Sequence, residues 1–357
     1  MTITTQTQIA GPVNVVYQVS ALRRAQMVCP YFVASVPGEI RSHSGTFTAK
    51  WRRYEHLTPV TTPLTEITGS VTYPTRTGVQ PSVTDITATV QKYGNFIVMN
   101  EEVDLVNINN LSMTFADILG ENAGRSLNRL QRNELEDNST AVLGGAATTA
   151  TDIASTSFIS RSKIAKVVNE LHNQDVRKSF PETQGSTNVG TAPIRESLWG
   201  ITHPDVEEDL RTLTGFNSVE TYAGQTKTYT GEIGHIGGVR FIVSTESTVD
   251  AGGGATVTGT ATIAGRTTSG NRTDIYNTVI MGEDAVGSLG LDATHVKDIY
   301  MSDDRLPAIM MISHPKGSAG SADPLNEVST AGWKSWHAAK ILNGNWIRVF
   351  RHAASNL

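Results

Sequence analysis

The sequence holds a single cysteine, Cys29, in 357 residues, which excludes a disulfide framework and any cysteine-based zinc site. No run of about 18 apolar residues is present, so a membrane-spanning helix is excluded. Met1 to Gly11 carry neither the basic start nor the apolar stretch of a secretory signal, and none is expected. Charge is scarce, at 18% of residues against about 25% in typical soluble domains. A basic excess is absent too: 29 Lys and Arg stand against 34 Asp and Glu, for a net charge of −5 and a pI near 6.0. A dedicated nucleic-acid binder would carry a strongly basic domain. No internal repeat is visible.

Threonine and glycine are abundant, with 45 and 32 copies. A Thr- and Gly-rich, charge-poor chain predicts much β-structure, many turns, and a surface that largely meets other protein. At roughly 100–200 residues per domain, the length predicts two or three compact units. Charge is uneven along the chain. Residues 1–60 hold Arg23, Arg24, Arg41, Lys50, Arg52 and Arg53 against Glu39 and Glu55, a net of +4, and the remainder carries −9. A basic arm on an acidic body favours arm-to-neighbour attraction.

Residues 1 to about 45 read as an extended arm broken by Pro12, Pro30, Pro37, Gly11, Gly38 and Gly45. Phe47, Ala49 and Trp51 alternate on a strand whose expected partner is Ser82–Tyr93, with Ile86, Ala88 and Val90 on one side. About thirty Pro- and Gly-studded residues lie between, which makes a long two-stranded projection that is marginal in water by itself. From Ser112, the expected N-cap, the period changes to that of a helix: Phe115, Ile118, Leu119, Ala123, Leu127 and Leu130 share a stripe, and Glu121 precedes Arg125 by four. The helix is predicted to reach Leu143 and to stop at Gly144-Gly145. A second helix is predicted over Ser160–His172, with Ile164, Val167, Val168 and Leu171 inward. Further on come a strand end and short helix around Pro204, a strand at Val239–Ser244, a Gly/Thr-rich excursion over 251–270, and a buried strand at Ala308–Ile312. Asn343-Gly344 predicts a hairpin turn between Trp333–Ile341 and Trp346–Phe350.

No local motif supports catalysis. Ser160-Arg161-Ser162-Lys163 matches S-x-x-K, but K-T-G and S-D-N are missing, and a helix start with a solvated lysine accounts for it. The glycine clusters at 231–238 and 252–254 lack both the P-loop ending and G-x-G-x-x-G, so they read as turns. Nine scattered histidines form no close ligand pair. Acidic groups at 101–104, 134–137 and 205–209 read as solvated faces and helix ends. Asn138-Ser139-Thr140 is a glycosylation sequon by pattern only. No catalytic, cofactor-binding or metal-binding residue is expected, and no cofactor.

The order basic arm, long β-projection, long helix, second helix, Gly/Thr-rich α/β unit and closing β-hairpin resembles the major capsid proteins of tailed bacteriophages. Their shell fold is shared with encapsulins and herpesvirus capsid floors. Local stretches resemble a short-tailed phage and prophage subgroup: Leu57–Glu66, Gln91–Gly94, Gly200–Val206 with Asp209-Leu210, Gly231–Gly234 with Gly238–Ile242, Gly282–Ala285, Asp323–Leu325 and Gly332–Lys334. Residues 1–40 and 251–270 resemble nothing recognisable.

The resemblance implies an α+β capsid fold: an N-terminal arm (1–45), an extended E-loop (46–100), a peripheral domain with a spine helix over about 112–143 (101–195 and 326–357), and an axial domain (196–325). It implies a structural protein, not an enzyme, that assembles with itself into hexamers, pentamers and an icosahedral shell around double-stranded DNA. The expected setting is the virion, after assembly in the host bacterial cytoplasm. Portal, scaffolding and decoration proteins are the implied partners, with no membrane. Trp51, Arg52 and Arg53 on the projection become candidate inter-subunit contacts, the arginines facing Glu134, Glu136 or Asp137 of a neighbour. An encapsulin-like compartment shell or a phage tail or decoration protein is the alternative.

Overall fold

The computed structural model describes residues 30–40, 45–63, 79–106, 111–182, 194–222, 229–257, 265–291, 309–319 and 323–356. The arm upstream of Pro30, Ala308 and the middle of the 251–270 excursion lie outside these residues. The helices are α1 (Pro30–Val33), α2 (Glu101–Val106), α3 (Leu111–Asn138), α4 (Arg161–His172) and α5 (Glu207–Arg211). The strands are β1 (Val36–Ile40), β2 (Thr48–Tyr54), β3 (Val83–Thr89), β4 (Gln91–Asn100), β5 (Ala141–Leu143), β6 (Leu198–Thr202), β7 (Asn217–Ser218), β8 (Glu232–Ile236), β9 (Val239–Val243) and β10 (Val249–Asp250), followed by β11 (Ile275–Met281), β12 (Val286–Leu291), β13 (Met310–His314), β14 (Val328–Ile341) and β15 (Ile347–His352).

They form two large sheets and a hairpin. One sheet runs β5-β15-β11-β6-β9-β8-β7, with β10 on β11. The other is built on β14: residues 330–334 pair with β13 and 337–341 with β12, end to end along one edge, while β4 pairs with 328–337 along the opposite edge. β1 adds to β12 in parallel. β2 and β3 form the hairpin, with Trp51 opposite Ile86 and Ala49 opposite Ala88, as the alternation predicted.

The 28 residues of α3 span about 42 Å at ~1.5 Å per residue. Its first half buries Leu119, Ala123 and Leu127 against Ile309, Met311 and Trp333 of the β14 sheet. Its second half puts Leu135 among Trp199, Ile201, Ile242, Val279 and Val349, on one face of the other sheet. The opposite face of that sheet receives α4, whose Ile164, Val167, Val168 and Leu171 are buried with Leu198, Phe241 and Phe350.

Three expectations change. Helix α3 begins at Leu111, and it ends at Asn138 rather than Leu143, because 141–143 leave it to pair in parallel with β15. Ile118 lies off the apolar stripe and is 51% exposed. Asn343-Gly344 makes no hairpin. The side chain of Asn343 caps a short 3-10 turn, Gly344–Trp346, and the strands on either side enter different sheets. The tight turn lies instead at Gly237-Gly238, where both residues have positive φ, 60° and 87°, between β8 and β9.

The second part of the arm is folded onto its own chain. Tyr31 is fully buried, and the backbone N–H groups of Tyr31 and Phe32 donate to Asn128 Oδ1 of α3 at 3.1 and 3.3 Å. The Tyr31 hydroxyl pairs with Ser247 Oγ at 2.7 Å.

Two histidines are buried in the sheets. His352 Nδ1 donates to Ala353 O, so its Nε2 accepts from the Thr278 hydroxyl at 2.8 Å, and Thr278 in turn pairs with Thr202. Burial pushes both His337 and His352 down to about 4. Unfolded histidines titrate near ~6.5, so each contributes stability that is complete above that pH and lost as pH falls toward 4, on the order of 3 kcal/mol per residue. Urea midpoints of the subunit should therefore drop between pH 7 and 4.5, and His337→Gln with His352→Gln should flatten the drop. A flat profile in the parent chain would refute the assignment.

Candidate assembly surfaces

The hairpin is bolted down at its base and bare beyond it. Ala49, Trp51, Ala88 and Val90 pack with Ile40, Leu289, Trp336 and Ala338 of the β14 sheet. The Trp51 indole lies over two glycines: a Cβ on Gly38 or on Gly287 would come within 3.1 Å of its Cζ2. Arg53 adds a bond from its guanidinium to Leu342 O at 3.2 Å. Past that point Tyr54, Leu57, Val60, Val79 and Val83 all face solvent, and Phe47 does so at the other end. Val60 is 78% exposed and Val79 70%. Scattered exposed apolar residues are ordinary, but a cluster of them marks an interaction surface.

The sequence-derived contacts fall into two groups. Arg52 lies opposite Asp85 in the hairpin register and holds it bidentately at 2.9 and 3.3 Å, with Lys50 Nζ 3.6 Å from the same carboxylate. The Arg52 bond holds Asp85 below the usual carboxylate range. Two cations share one acid there, so the face stays net positive. Arg53 pairs with Glu55 at 2.8 Å, and that carboxylate also accepts from Thr84 Oγ1 at 2.8 Å. Thr84 first, then Arg53, keep Glu55 low. Asp85 escaped the sequence reading, although the Trp51–Ile86 rung places it beside Arg52.

The acids sit at the far end of α3, whose last turn contains no basic residue. The negative end of the helix dipole there lacks its usual complement. Glu134 accepts from Lys340 Nζ at 2.9 Å and from Asn138 Nδ2 at 2.8 Å. Asp137 is exposed. Glu134 and Asp137, with Asn133, Thr89, Gln91 and His337, line a crevice of about 260 Å³ between the helix and the hairpin root. Glu136 is 4% exposed and accepts from Asn277 Nδ2 at 2.9 Å and from Thr248 N at 3.4 Å. Burial raises its carboxyl above the ordinary range, against the pull of Asn277 and Thr248.

Glu246 was also missed. It is buried, it pairs with Arg129, and it lies 3.5 Å from Arg125, which also makes the expected bridge to Glu121 at 3.0 Å. The separation of more than a hundred residues hides such a pairing from any local pattern.

The S-x-x-K residues serve local structure. Ser160 is the N-cap of α4 and contacts Ser162 Oγ at 3.2 Å, while Lys163 Nζ donates to Leu143 O at 3.2 Å. Among the described residues, no group of three or more His, Cys, Asp or Glu could hold a metal ion, and no helix is long and apolar enough to cross a membrane.

A family model described as "Phage capsid protein" matches residues 83–351. Among solved structures, the capsid of Ralstonia phage GP4 is similar with a TM-score of 0.61 at 11% identity, covering 92% of this chain and 92% of that one. The head of Helicobacter pylori bacteriophage KHP40 gives 0.54 at 11%, covering 92% and 91%. The capsid of Cyanophage P-SCSP1u gives 0.53 at 11%, covering 92% and 89%. At such identities the likeness is one of fold. No curated protein sequence matches.

Trp51→Ala should release the hairpin from the body. Hydrogen exchange should rise across 48–54 and 83–89, with global stability falling by about 2–4 kcal/mol, the usual cost of truncating a large, partly buried side chain. Unchanged exchange in the two strands would show that Trp51 is not the bolt.

Proposed function

We infer the mode of action from kinship: the chain belongs to the phage capsid protein family, and it is a structural protein of a phage head shell, not an enzyme. On that premise, copies of the chain close into hexamers and pentamers and then an icosahedral shell around double-stranded DNA. Residues 1–45 serve as the arm, 46–100 as the extended loop, 101–195 with 326–357 as the peripheral domain and 196–325 as the axial domain. Assembly takes place in the host bacterial cytoplasm, with portal, scaffolding and decoration proteins as partners.

The observation that carries this reading is the hairpin. Five large apolar side chains beyond its base face water, on the part of the projection that a single chain leaves uncovered among the described residues. A neighbouring copy supplies the missing surface. Head-to-tail contacts of that kind generate rings. Lys50 and Arg52, sharing the single acid Asp85, are the cations offered. Glu134 and Asp137 at the electronegative end of α3 are the receiving acids, while Trp51, Arg53 and Glu136 hold the subunit together. The acidic body suits a DNA container, because each additional phosphate contact by Lys or Arg would tighten binding through counterion release.

Electron microscopy of purified material should show rings or closed particles, and deletion of residues 56–81 should abolish them with little loss of helix content. Normal particles from the deleted chain would overturn the hairpin's role. Charge reversal at Lys50 and Arg52 should lower particle stability most at low salt, each exposed pair contributing only ~0–1 kcal/mol but recurring at every interface. A salt dependence identical to that of the parent would count against Glu134 and Asp137 as the receivers.

A further inference from the structure

Among the described residues, strand β4 has one strand partner, β14, and no strand on its other edge. In an antiparallel ladder, the N–H and C=O of a residue point together to one side, and the sides alternate along the strand. β4 pairs with β14 so that Gln91 opposes His337 and Asn100 opposes Val328. Just beyond, in the same phase, Glu101 N donates to Glu327 O at 2.8 Å. Odd-numbered residues therefore turn their backbone groups to β14, and Lys92, Gly94, Phe96, Val98 and Asn100 turn theirs outward. Phe96 agrees with this assignment, since its N–H donates to the side-chain Oδ1 of Asn95 at 2.9 Å. No described strand pairs along that outer edge.

This edge carries few of the devices that keep edges apart. It is ten residues long, contains no proline, and has Lys92 as its only charge. Phe96 and Val98 point outward, 69% and 55% exposed, while Tyr93 and Ile97 on the other face pack toward α3. Long, flat, apolar edges pair with another strand unless they are blocked.

We propose that β4 pairs antiparallel with β4 of a second copy across a two-fold axis, with Phe96 opposite the partner's Val98, so that two β14 sheets become one continuous sheet. Three observations select this occupant and register. Outward backbone groups belong to even-numbered residues, so even must face even, and 96 against 98 satisfies that. The exposed apolar pair then meets its own counterpart on one face. Lys92 of each copy comes to the start of the partner's α2, where Glu101 and Glu102 stand, so the two ends are complementary in charge. The pairing rests on the shell reading, in which copies in adjacent rings meet about two-fold axes.

The test is a Phe96→Cys, Val98→Cys chain in a Cys29→Ser background. Directly opposed hydrogen-bonded residues lie about 5.5 Å apart at Cα, within disulfide reach. Oxidised assemblies run on a denaturing, non-reducing gel should give covalent dimers and nothing larger, because an isologous contact closes on itself. Monomer alone, or a ladder of higher species, overturns the proposal. A second measurement guards against a misfolded variant: in the same cysteine background Lys92→Glu should remove the dimer band, and adding Glu101→Lys and Glu102→Lys should restore it. Failure to restore it in folded chains overturns the charge-selected register. Microscopy of the same samples separates the two readings. Shells without dimers remove the pairing and leave the shell reading standing, whereas dimers without shells do the reverse.

Discussion

The apolar stripe of α3 holds the subunit together. One 28-residue helix supplies Leu119, Ala123 and Leu127 to one sheet and Leu135 to another. A helix near the globular average of ~11–12 residues could serve only one of those cores. Length here is a packing requirement: the stripe must stay in phase over about 24 Å, from Leu119 to Leu135, to reach both sheets. The departure of Ile118 from it shows how narrow the buried face is.

Polar groups fix what the stripe leaves adjustable. Asn128 ties the arm root to α3, and Glu136 ties α3 to Thr248 and Asn277. Glu246 gathers Arg125 and Arg129 on the flank of the helix. An unsatisfied buried polar group costs roughly 1–3 kcal/mol, so these joints specify position even where their net contribution to stability is small. Hydrophobic burial sets the body, and directional bonds set its register.

Much of this was legible in the sequence. The 3.6-residue period of 115–130 and 164–171, and the two-residue alternation of 47–51 and 86–90, gave the two long helices and the hairpin because local burial dictates them. The end of α3 was misjudged because 141–143 are claimed by β15, some two hundred positions away. Asn343-Gly344 carries hairpin chemistry, but its flanking segments each found better partners in separate sheets. The charged residues were the least legible. Arg52 and Arg53 were visible as exposed cations on a projection, whereas the enclosure of Glu136 depends on Asn277 and Thr248, which no spacing rule brings together.

The two glycines under Trp51 lie on different strands: Gly38 on β1, which continues from the arm, and Gly287 on β12, inside the β14 sheet. One edge of the indole thus lies across the seam between the root of the arm and the body while riding on the hairpin. Arm root, sheet and projection therefore meet at one side chain. A pull on the arm meets Tyr31, buried with Leu135 and bonded to Asn128, before it reaches the hairpin base. A side chain added at either glycine would press on the indole, so the seating of the projection depends on two positions that lack a Cβ.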